Sequence, residues 1–216
     1  QEADTVGSIA LVGAGPGARD LLTLRAVERL QEADVIFYDR LVDEEVLELG
    51  RRDAERVFVG KHVGAHAWPQ QRINAVIVAE ARKGRRVVRL KSGDPGIFGR
   101  AGEEIEAARA AGIAVEIVPG VTAASAAGAA LGHSLTERGV SDTLVLVTGT
   151  GRDDDPLPDC TRFAGPGTTT AIYMGARQAP RICAALRARG LDEMAPVEIC
   201  VDVSKPTQRL VSTTLS

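Results

Sequence analysis

The sequence predicts an α/β protein whose first half is a parallel β-sheet flanked by helices. Short apolar runs alternate with segments that have a helical spacing of apolar residues, which is typical of parallel strands joined by crossover helices. Several of the apolar runs end abruptly in glycine, acidic residues or proline. The pair Pro119-Gly120 interrupts the alternation, and we place a domain boundary there. The prediction is therefore two α/β domains, covering residues 1–119 and 120–216.

In the first domain, the alternation places strands and helices in turn along the chain. Apolar runs predict strands at 9–12, 34–38, 56–59, 87–90 and 114–118. Helices are predicted at 23–32, 44–49, 70–82 and 102–110. Thr23 is expected to cap the first helix, because a threonine hydroxyl accepts a hydrogen bond from a free N–H of the first turn.

In the second domain, the same criteria predict fewer elements with longer connections. A helix of small residues is expected at 123–130 and another at 180–189, with strands at 144–147, 170–173 and 197–201. Alternation over 208–213 predicts an edge strand, and a long polar loop spans about 149–168.

The composition excludes several classes of partner. The chain has 216 residues, of which 44% are hydrophobic, so it can bury a sizeable core. Aromatic residues make up 3% and the net charge is −3, which argues against nucleic-acid binding. No apolar run approaches the ~20 residues of a membrane span, and the polar start Gln1-Glu2-Ala3-Asp4 is unlike a signal peptide. No membrane partner is expected.

The cysteines and histidines indicate neither a metal site nor a disulfide framework. Cys160, Cys183 and Cys200 are scattered and odd in number, and the three histidines have no metal-ligand spacing relative to them. The expectation is a protein of the reducing cytoplasm with no bound metal.

Four predicted strands end in polar or glycine-rich sequence. These ends are Gly13-Ala14-Gly15-Pro16-Gly17, Asp39-Arg40, Gly60-Lys61 and Ser92-Gly93-Asp94-Pro95. Ligands of open α/β sheets bind beyond the carboxyl ends of the strands, so the four ends predict one shared ligand site. A plain tight turn is the alternative for each end alone, since glycine, aspartate and proline are the usual turn residues.

The first glycine loop could be mistaken for a dinucleotide-binding loop. Gly13, Gly15 and Ala18 fit the loose fingerprint, and Asp39 ends the next strand like a ribose-binding acid. A pyrophosphate, however, needs a helix that opens at the glycines, whereas the predicted cap, Thr23, comes several residues later. Pro16 also removes one N–H donor from the loop. The loop therefore suits a ligand without phosphate, and a nicotinamide-dependent dehydrogenase is the weaker alternative.

An ordered series of motifs resembles the tetrapyrrole methylase family over nearly the whole chain. The motifs are Gly13-Ala14-Gly15-Pro16-Gly17, Tyr38-Asp39-Arg40-Leu41, Val59-Gly60-Lys61, Pro69-Gln70, Arg89-Leu90-Lys91-Ser92-Gly93-Asp94-Pro95, Ile97-Phe98-Gly99-Arg100, Glu103-Glu104, Val118-Pro119-Gly120-Val121-Thr122-Ala123, Leu135-Thr136-Glu137-Arg138, Val147-Thr148-Gly149 and Tyr173-Met174-Gly175. Within the family, the resemblance is greatest to the members that methylate uroporphyrinogen III.

This resemblance implies methyl transfer from S-adenosyl-L-methionine to carbons 2 and 7 of uroporphyrinogen III, which gives precorrin-2 and S-adenosyl-L-homocysteine. Family members bind the cofactor in a cleft between the two domains and are usually homodimers. The implied cofactor contacts are Pro16, Ser92, Gly93, Asp94, Ile97, Thr122, Ala123 and Met174. Asp39 and Lys61 match the family's proton acceptor and donor, and Arg100, Glu103 and Arg138 match positions associated with the substrate.

The residue types suit this chemistry. In-line displacement at a sulfonium methyl needs alignment more than a strong base, and Asp39 can accept the proton that the substrate loses. Lys61 could instead be a solvated strand end. The substrate carries several carboxylates, and a local set of cationic side chains could bind them: Arg40, Lys61, His62, His66, Lys91, Arg100 and Arg138.

The chain also departs from the family pattern. Ser92 and Gly96 stand where the family more often has glycine and phenylalanine. The second domain is expected to lack the last helix and strand that relatives have. The alternatives are another methyltransferase of the corrin pathway, or a porphyrin-binding module without catalysis.

Overall fold

The computed structural model describes residues 5–151 and 159–216, which form two compact units, residues 1–122 and 123–216. The sequence predicts a boundary after residue 119, which is three residues before this division. The acidic start at 1–4 and the central part of the predicted polar loop, 152–158, lie outside the described residues.

The first unit alternates strands and helices as predicted. Its strands are β1 (Ser8–Gly13), β2 (Val35–Tyr38), β3 (Glu55–Phe58), β4 (Arg86–Lys91) and β5 (Ala114–Val118). Its helices are α1 (Leu24–Glu32), α2 (Glu44–Leu47), α3 (Gln70–Arg82) and α4 (Ala101–Ala110). The predicted bounds differ by one or two residues at most ends, because the ends of elements depend on contacts outside the local pattern.

The five strands form one parallel sheet in the order β3-β2-β4-β1-β5. The prediction of a parallel sheet is therefore confirmed. Strand β4 lies between β1 and β2, with Ala10 opposite Val88 on one side and Ile36 opposite Val88 on the other. All five carboxyl ends lie along the same edge, because the strands run in one direction.

Helices cover both faces of this sheet, so the unit has three layers. Val12, Leu90 and Ile36 pack on one face in a cluster that includes residues of α1 and α2. Leu11, Val87, Phe37 and their neighbours pack on the other face against residues of α3 and α4. Successive side chains of a strand point to opposite faces, which is why both faces can be apolar in strands of this composition.

Helix α1 begins where the sequence predicts. The Thr23 hydroxyl accepts a hydrogen bond from the Ala26 backbone N–H at 3.1 Å. A single 3₁₀ turn over Arg19–Leu21 separates the glycine loop from this cap. The glycine loop and the start of α1 are therefore not contiguous.

The second unit contains smaller sheets. Its elements are α5 (Ala123–Leu131), β6 (Thr143–Thr148), β7 (Thr168–Tyr173), α6 (Ala179–Ala188), β8 (Pro196–Val201) and β9 (Arg209–Thr214). Strands β6 and β7 are parallel, whereas β8 and β9 form an antiparallel pair. Ile182 and Leu186 of α6 pack with Cys160 and Leu215 in the core of this unit.

None of the helices in the described part of the chain is both long and apolar enough to cross a membrane.

Candidate functional site

The loops that follow β1 and β4 are hydrogen-bonded to each other at the carboxyl edge of the sheet. The Gly15 N–H donates to the Gly93 carbonyl at 3.2 Å, and the Gly93 N–H donates to the Gly15 carbonyl at 2.7 Å. Both residues have a positive φ, 69° and 66°, a conformation that favours glycine. These bonds bring the half-buried Pro16 and the segment Ser92–Asp94 to one place.

Asp94 joins this pair of loops to the segment after β5. One carboxylate oxygen accepts from the Gly96 N–H at 2.7 Å, and the other accepts from the Gly120 N–H at 3.1 Å. The Ile97 N–H donates to the Asp94 carbonyl at 3.2 Å, so Ile97 belongs to the same turn. A carboxylate has about four acceptor positions, which leaves Asp94 able to accept from the hydroxyls of a ligand as well.

Thr122 lies at the same edge. A Cβ atom built on Gly93 would lie 3.9 Å from the Thr122 Cα. The first unit thus brings together the predicted cofactor contacts that it contains, namely Pro16, Ser92, Gly93, Asp94, Ile97 and Thr122.

Two further predicted cofactor contacts, Ala123 and Met174, are neighbours within the second unit. The Tyr173 hydroxyl at the end of β7 accepts from the Ala124 N–H in the first turn of α5, at 3.1 Å. Met174 follows with a φ of 57° and a side chain that is 58% exposed. Tyr173, for which the sequence predicts no role, therefore connects the end of β7 to the first turn of α5. A cofactor site that uses residues of both units stays a prediction.

Asp39 follows β2 and is held by two contacts. One carboxylate oxygen accepts from the Leu41 N–H at 2.9 Å. The other lies 3.9 Å from the guanidinium of Arg89, whose side chain is 6% exposed, whereas that of Asp39 is 30% exposed. Asp39 is thus a solvent-accessible carboxylate that lies next to a buried cation, the guanidinium of Arg89.

Lys61 follows the neighbouring strand, β3. Its side chain is exposed and makes no hydrogen bond or ion pair with the residues the structure describes. Gly60 packs closely on the segment of Asp39, since a Cβ atom there would lie 3.1 Å from the Arg40 backbone nitrogen. The two predicted acid–base residues therefore follow adjacent strands whose ends are in contact.

A cavity of about 870 Å³ lies beside Asp39. Its lining combines aromatic, cationic and acidic side chains, among them Tyr38, Phe58, Arg40, Arg52, Glu44 and Glu48. The Tyr38 and Phe58 rings meet edge to face at 5.5 Å between centroids. Arg40 and Arg52 are exposed. A cavity of this size can admit a large organic ligand.

Arg100 and Glu103, both predicted to contact substrate, form an ion pair with each other. The Arg100 guanidinium donates to both Glu103 oxygens, at 2.7 and 2.9 Å, and both side chains are exposed. This hydrogen bonding lowers the pKa of Glu103 and raises that of Arg100. Arg138, the third such residue, lies in an exposed turn of the second unit closed by the Glu137–Ser141 bridge.

One residue of the expected cationic set has a different role. Lys91 is 6% exposed and donates within the protein to Glu104, at 2.9 Å, and to the Gly99 carbonyl, at 2.5 Å. The expectation that Lys91 belongs to the cationic set for substrate carboxylates is wrong, because helix α4 covers the face of β4 on which Lys91 lies. Glu104 and Arg89 were missed as members of an internal ionic cluster. The available signal was a glutamate within the apolar stripe Ala101–Ala108 of α4.

The geometry of the first glycine loop disfavours a dinucleotide site. A phosphate would need the free N–H groups of α1, but α1 opens at Thr23, beyond the 3₁₀ turn. Among residues 5–151 and 159–216, histidine, cysteine and acidic side chains form no cluster of three that could hold a metal ion.

Comparison with known proteins identifies relatives along nearly the whole chain. Siroheme synthase from Edwardsiella ictaluri is 50% identical over 210 residues, which are 97% of this chain and 45% of that protein. Siroheme synthase 2 from Klebsiella pneumoniae is 49% identical, with 97% of this chain and 46% of that protein covered. The chain thus spans about half the length of the curated relatives it matches.

Solved structures of similar size agree with the fold. Uroporphyrin-III C-methyltransferase from Thermus thermophilus, in complex with S-adenosyl homocysteine, is 39% identical, with a TM-score of 0.84 and coverage of 97% of this chain and 89% of that one. A cobalt precorrin-4 methyltransferase is 27% identical, with a TM-score of 0.82 and coverage of 96% and 85%.

The family model for tetrapyrrole (corrin/porphyrin) methylases matches residues 8–216. That range includes the joined loops after β1 and β4, Asp94, and the predicted acid–base residues Asp39 and Lys61, which follow β2 and β3. This chain belongs to the tetrapyrrole methylase family.

Proposed function

We propose that this chain transfers methyl groups from S-adenosyl-L-methionine to carbons 2 and 7 of uroporphyrinogen III, giving precorrin-2. The observation that carries the proposal is the carboxyl edge of the parallel sheet, where two joined glycine loops and Asp94 adjoin the segment of Thr122. The similarity to a uroporphyrin-III C-methyltransferase supports the same activity.

The residues at this edge fit S-adenosyl-L-methionine better than a phosphorylated cofactor. Asp94 offers carboxylate lone pairs to ribose hydroxyls, and its charge would repel a phosphate. Pro16 and Ile97 offer apolar contact to the adenosine, and the Ser92 hydroxyl adds a polar one. Thr122, Ala123 and Met174 are the remaining cofactor contacts that the family resemblance implies. When bound, the cofactor supplies an electrophilic methyl group on a sulfonium.

The substrate side is proposed at Asp39 and its cavity. The aromatic rings of Tyr38 and Phe58 suit contact with a macrocycle, and Arg40 and Arg52 can pair with its carboxylates. Arg56, although it also lines the cavity, is occupied by the backbone carbonyls of Leu47, Arg51 and Ala54. Arg100 and Arg138 are proposed to bind further carboxylates.

In the reaction, the residues of the chain mainly align the reactants and remove a proton. A pyrrole carbon of the substrate attacks the methyl group, the bond from methyl to sulfur breaks, and the macrocycle then loses a proton. Alignment of this kind can lower a barrier by ~7–11 kcal/mol. Asp39 accepts the proton as a carboxylate held by the Leu41 N–H and Arg89. Lys61, on the adjoining segment, can return a proton or bind a carboxylate.

A later corrin-pathway methyltransferase is the second candidate, since a cobalt precorrin-4 methyltransferase has nearly the same fold. Its lower identity, 27% against 39%, favours uroporphyrinogen III as the substrate. A homodimer is proposed from the family resemblance alone, and light scattering of the purified chain tests it. A cytoplasmic location is proposed from the scattered cysteines.

The deciding experiment supplies methyl-labelled S-adenosyl-L-methionine and enzymatically generated uroporphyrinogen III under anaerobic conditions. We expect label at carbons 2 and 7 of the product by NMR. Calorimetry should detect S-adenosyl-L-homocysteine binding in chelator-treated protein and no binding of NAD. Absence of methyl transfer by protein that binds S-adenosyl-L-homocysteine would exclude this substrate, and binding of NAD alone would favour the dehydrogenase.

A further inference from the structure

Helix α4 carries a fully buried carboxylate among its apolar contacts. Glu104 is 0% exposed and lies in the buried stripe of α4 between Ala101 and Ala108. A buried charge is costly unless it is paired and hydrogen-bonded. The environment of Glu104 must therefore supply compensating groups.

Three donors converge on one of its oxygens. Lys91 Nζ lies 2.9 Å from Glu104 Oε1, Gln70 Nε2 lies 3.1 Å from it and Arg89 Nε lies 3.4 Å from it. The other oxygen, Oε2, is buried and has no hydrogen-bond partner among the described residues. Two cationic side chains of β4 and the side-chain amide of Gln70, at the start of α3, therefore lie around the same oxygen of Glu104, Oε1.

Each cation also holds a segment of the proposed substrate side. Arg89 reaches the Asp39 carboxylate at 3.9 Å. Lys91 donates to the Gly99 carbonyl at 2.5 Å. Glu104 is therefore linked through Arg89 to the proposed base, Asp39, and through Lys91 to the turn that carries Arg100.

The turn held by Lys91 is a strained one. Phe98 and Arg100, which flank Gly99, have φ angles of 52° and 53°, which non-glycine residues rarely adopt. Such backbone persists when surrounding contacts hold it in place. The bond from Lys91 to the Gly99 carbonyl is a contact of this kind, and it orients the start of α4 from which Arg100 projects.

Two buried cations and two carboxylates lie together in this cluster. Arg89 and Lys91, at 6% and 7% side-chain exposure, face the carboxylates of Asp39 and Glu104. Burial lowers the pKa of Lys91, the nearby charge of Arg89 acts in the same direction, and Glu104 opposes both. Without the Glu104 charge, Arg89 and Lys91 would repel each other, and among the described residues Asp39 would be the carboxylate left within ion-pair distance of either.

We propose that Glu104 is a positioning residue for the tetrapyrrole side of the site, which holds Arg89 and Lys91 so that Asp39 and Arg100 keep fixed places. This inference rests on the proposed function. Glu104 itself is buried and does not touch substrate. Arg89 links Glu104 to Asp39, and Lys91 links it to the turn of Arg100. Loss of the Glu104 charge should therefore change turnover, through Asp39, and the KM for the substrate, through Arg100.

The first test is Glu104→Gln, which keeps the shape and removes the charge. We expect kcat/KM for uroporphyrinogen III to fall about tenfold to a hundredfold, the range of a lost charged hydrogen bond. Affinity for S-adenosyl-L-homocysteine should fall much less than kcat/KM, since the hydrogen-bond and ion-pair partners of Glu104, which are Lys91, Gln70 and Arg89, include none of the proposed cofactor contacts. Glu106→Gln, an exposed change on the same helix, is the matched control and should behave like the wild type.

A double-mutant cycle separates positioning from a general loss of structure. Glu104→Gln should raise KM much less in an Arg100→Ala background than in the wild type, because the two residues act on one contact. Additive effects on KM, an unchanged kcat/KM, or a parallel loss of S-adenosyl-L-homocysteine affinity would each overturn the proposal.

A readout without turnover distinguishes this proposal from the proposed function. In the free protein, Glu104→Gln should speed amide exchange at Phe98–Arg100 and at Leu41, whereas Glu106→Gln should not. Glu104→Asp, which keeps the charge but shortens the side chain, should give the same pattern if Glu104→Gln fails to fold. Unchanged exchange in the folded variant overturns the positioning role, whereas a wild type that methylates no uroporphyrinogen III overturns only the proposed function.

Discussion

Gly13 and Gly120 meet without space for a side chain on either. A Cβ atom on Gly13 would lie 2.7 Å from the Gly120 Cα, and one on Gly120 would lie 2.1 Å from the Gly93 carbonyl oxygen. Gly13 ends β1, Gly93 follows β4 and Gly120 follows β5. The three backbones therefore touch directly at the edge where the cofactor is proposed to bind.

Gly120→Ala should displace these loops. We expect a loss of about 1–3 kcal/mol or more in unfolding free energy, as for overpacked sites, and weaker binding of S-adenosyl-L-homocysteine. Urea unfolding and calorimetry measure the two effects. Gly102→Ala is the control, since a Cβ atom at Gly102 meets nothing within 4 Å and alanine in a helix should stabilise by ~0.5–1 kcal/mol. Equal stability of the two variants would contradict the close approach.

Asp39→Asn should lower turnover and spare cofactor binding. Asparagine keeps the acceptor for the Leu41 N–H but cannot take a proton, and loss of a general base costs ~10²–10⁴-fold in rate. Methyl transfer and S-adenosyl-L-homocysteine affinity are measured on the same preparation, with the exposed Glu45→Gln as a control. Wild-type turnover would rule out Asp39 as an essential base, and a selective loss of cofactor affinity would place it on the cofactor side.

Arg100→Ala should raise the KM for uroporphyrinogen III about tenfold to a hundredfold, because a charged hydrogen bond contributes roughly 1.5–3 kcal/mol. Cofactor affinity should change little. Arg109→Ala removes the same charge from an exposed position of α4 and serves as the control in steady-state kinetics. If Arg100→Ala and Arg109→Ala raise KM equally, the increase in KM comes from the change in net charge and not from a contact between Arg100 and the substrate.

Asp34 should contribute stability that is lost in acid. The Arg86 backbone N–H, at 2.7 Å, and the Arg51 guanidinium, at 3.0 Å, lower the pKa of Asp34 below its ordinary value of 3.8. A lowered pKa means that the folded state binds the proton less readily, so the contribution is present above pH 3.8 and disappears as the pH falls through the folded value.

The corresponding measurement compares the unfolding free energy of the wild type and Asp34→Asn across pH. The difference should be present at neutral pH and shrink in the acid range below the ordinary carboxyl pKa. Asp20→Asn, at an exposed position in the 3₁₀ turn, is the control. A difference that is constant with pH would mean that Asp34 acts through packing and not through its charge.

The features that depend on neighbouring residues could be predicted from the amino-acid sequence alone. The alternation of apolar runs and helical segments was sufficient for the parallel sheet, and Thr23 was sufficient for the start of α1, because capping and periodicity are local. The convergence of four strand ends followed as well, since parallel strands share one carboxyl edge.

The strand order and the partners of the charged groups, in contrast, became known only from the folded chain. Arg89 and Lys91 share a face of β4 by their spacing, but their burial depends on α3 and α4 covering that face. Asp94 meets the Gly120 N–H across 26 positions of sequence. Such contacts arise from the packing of whole elements, which no local pattern of residues specifies.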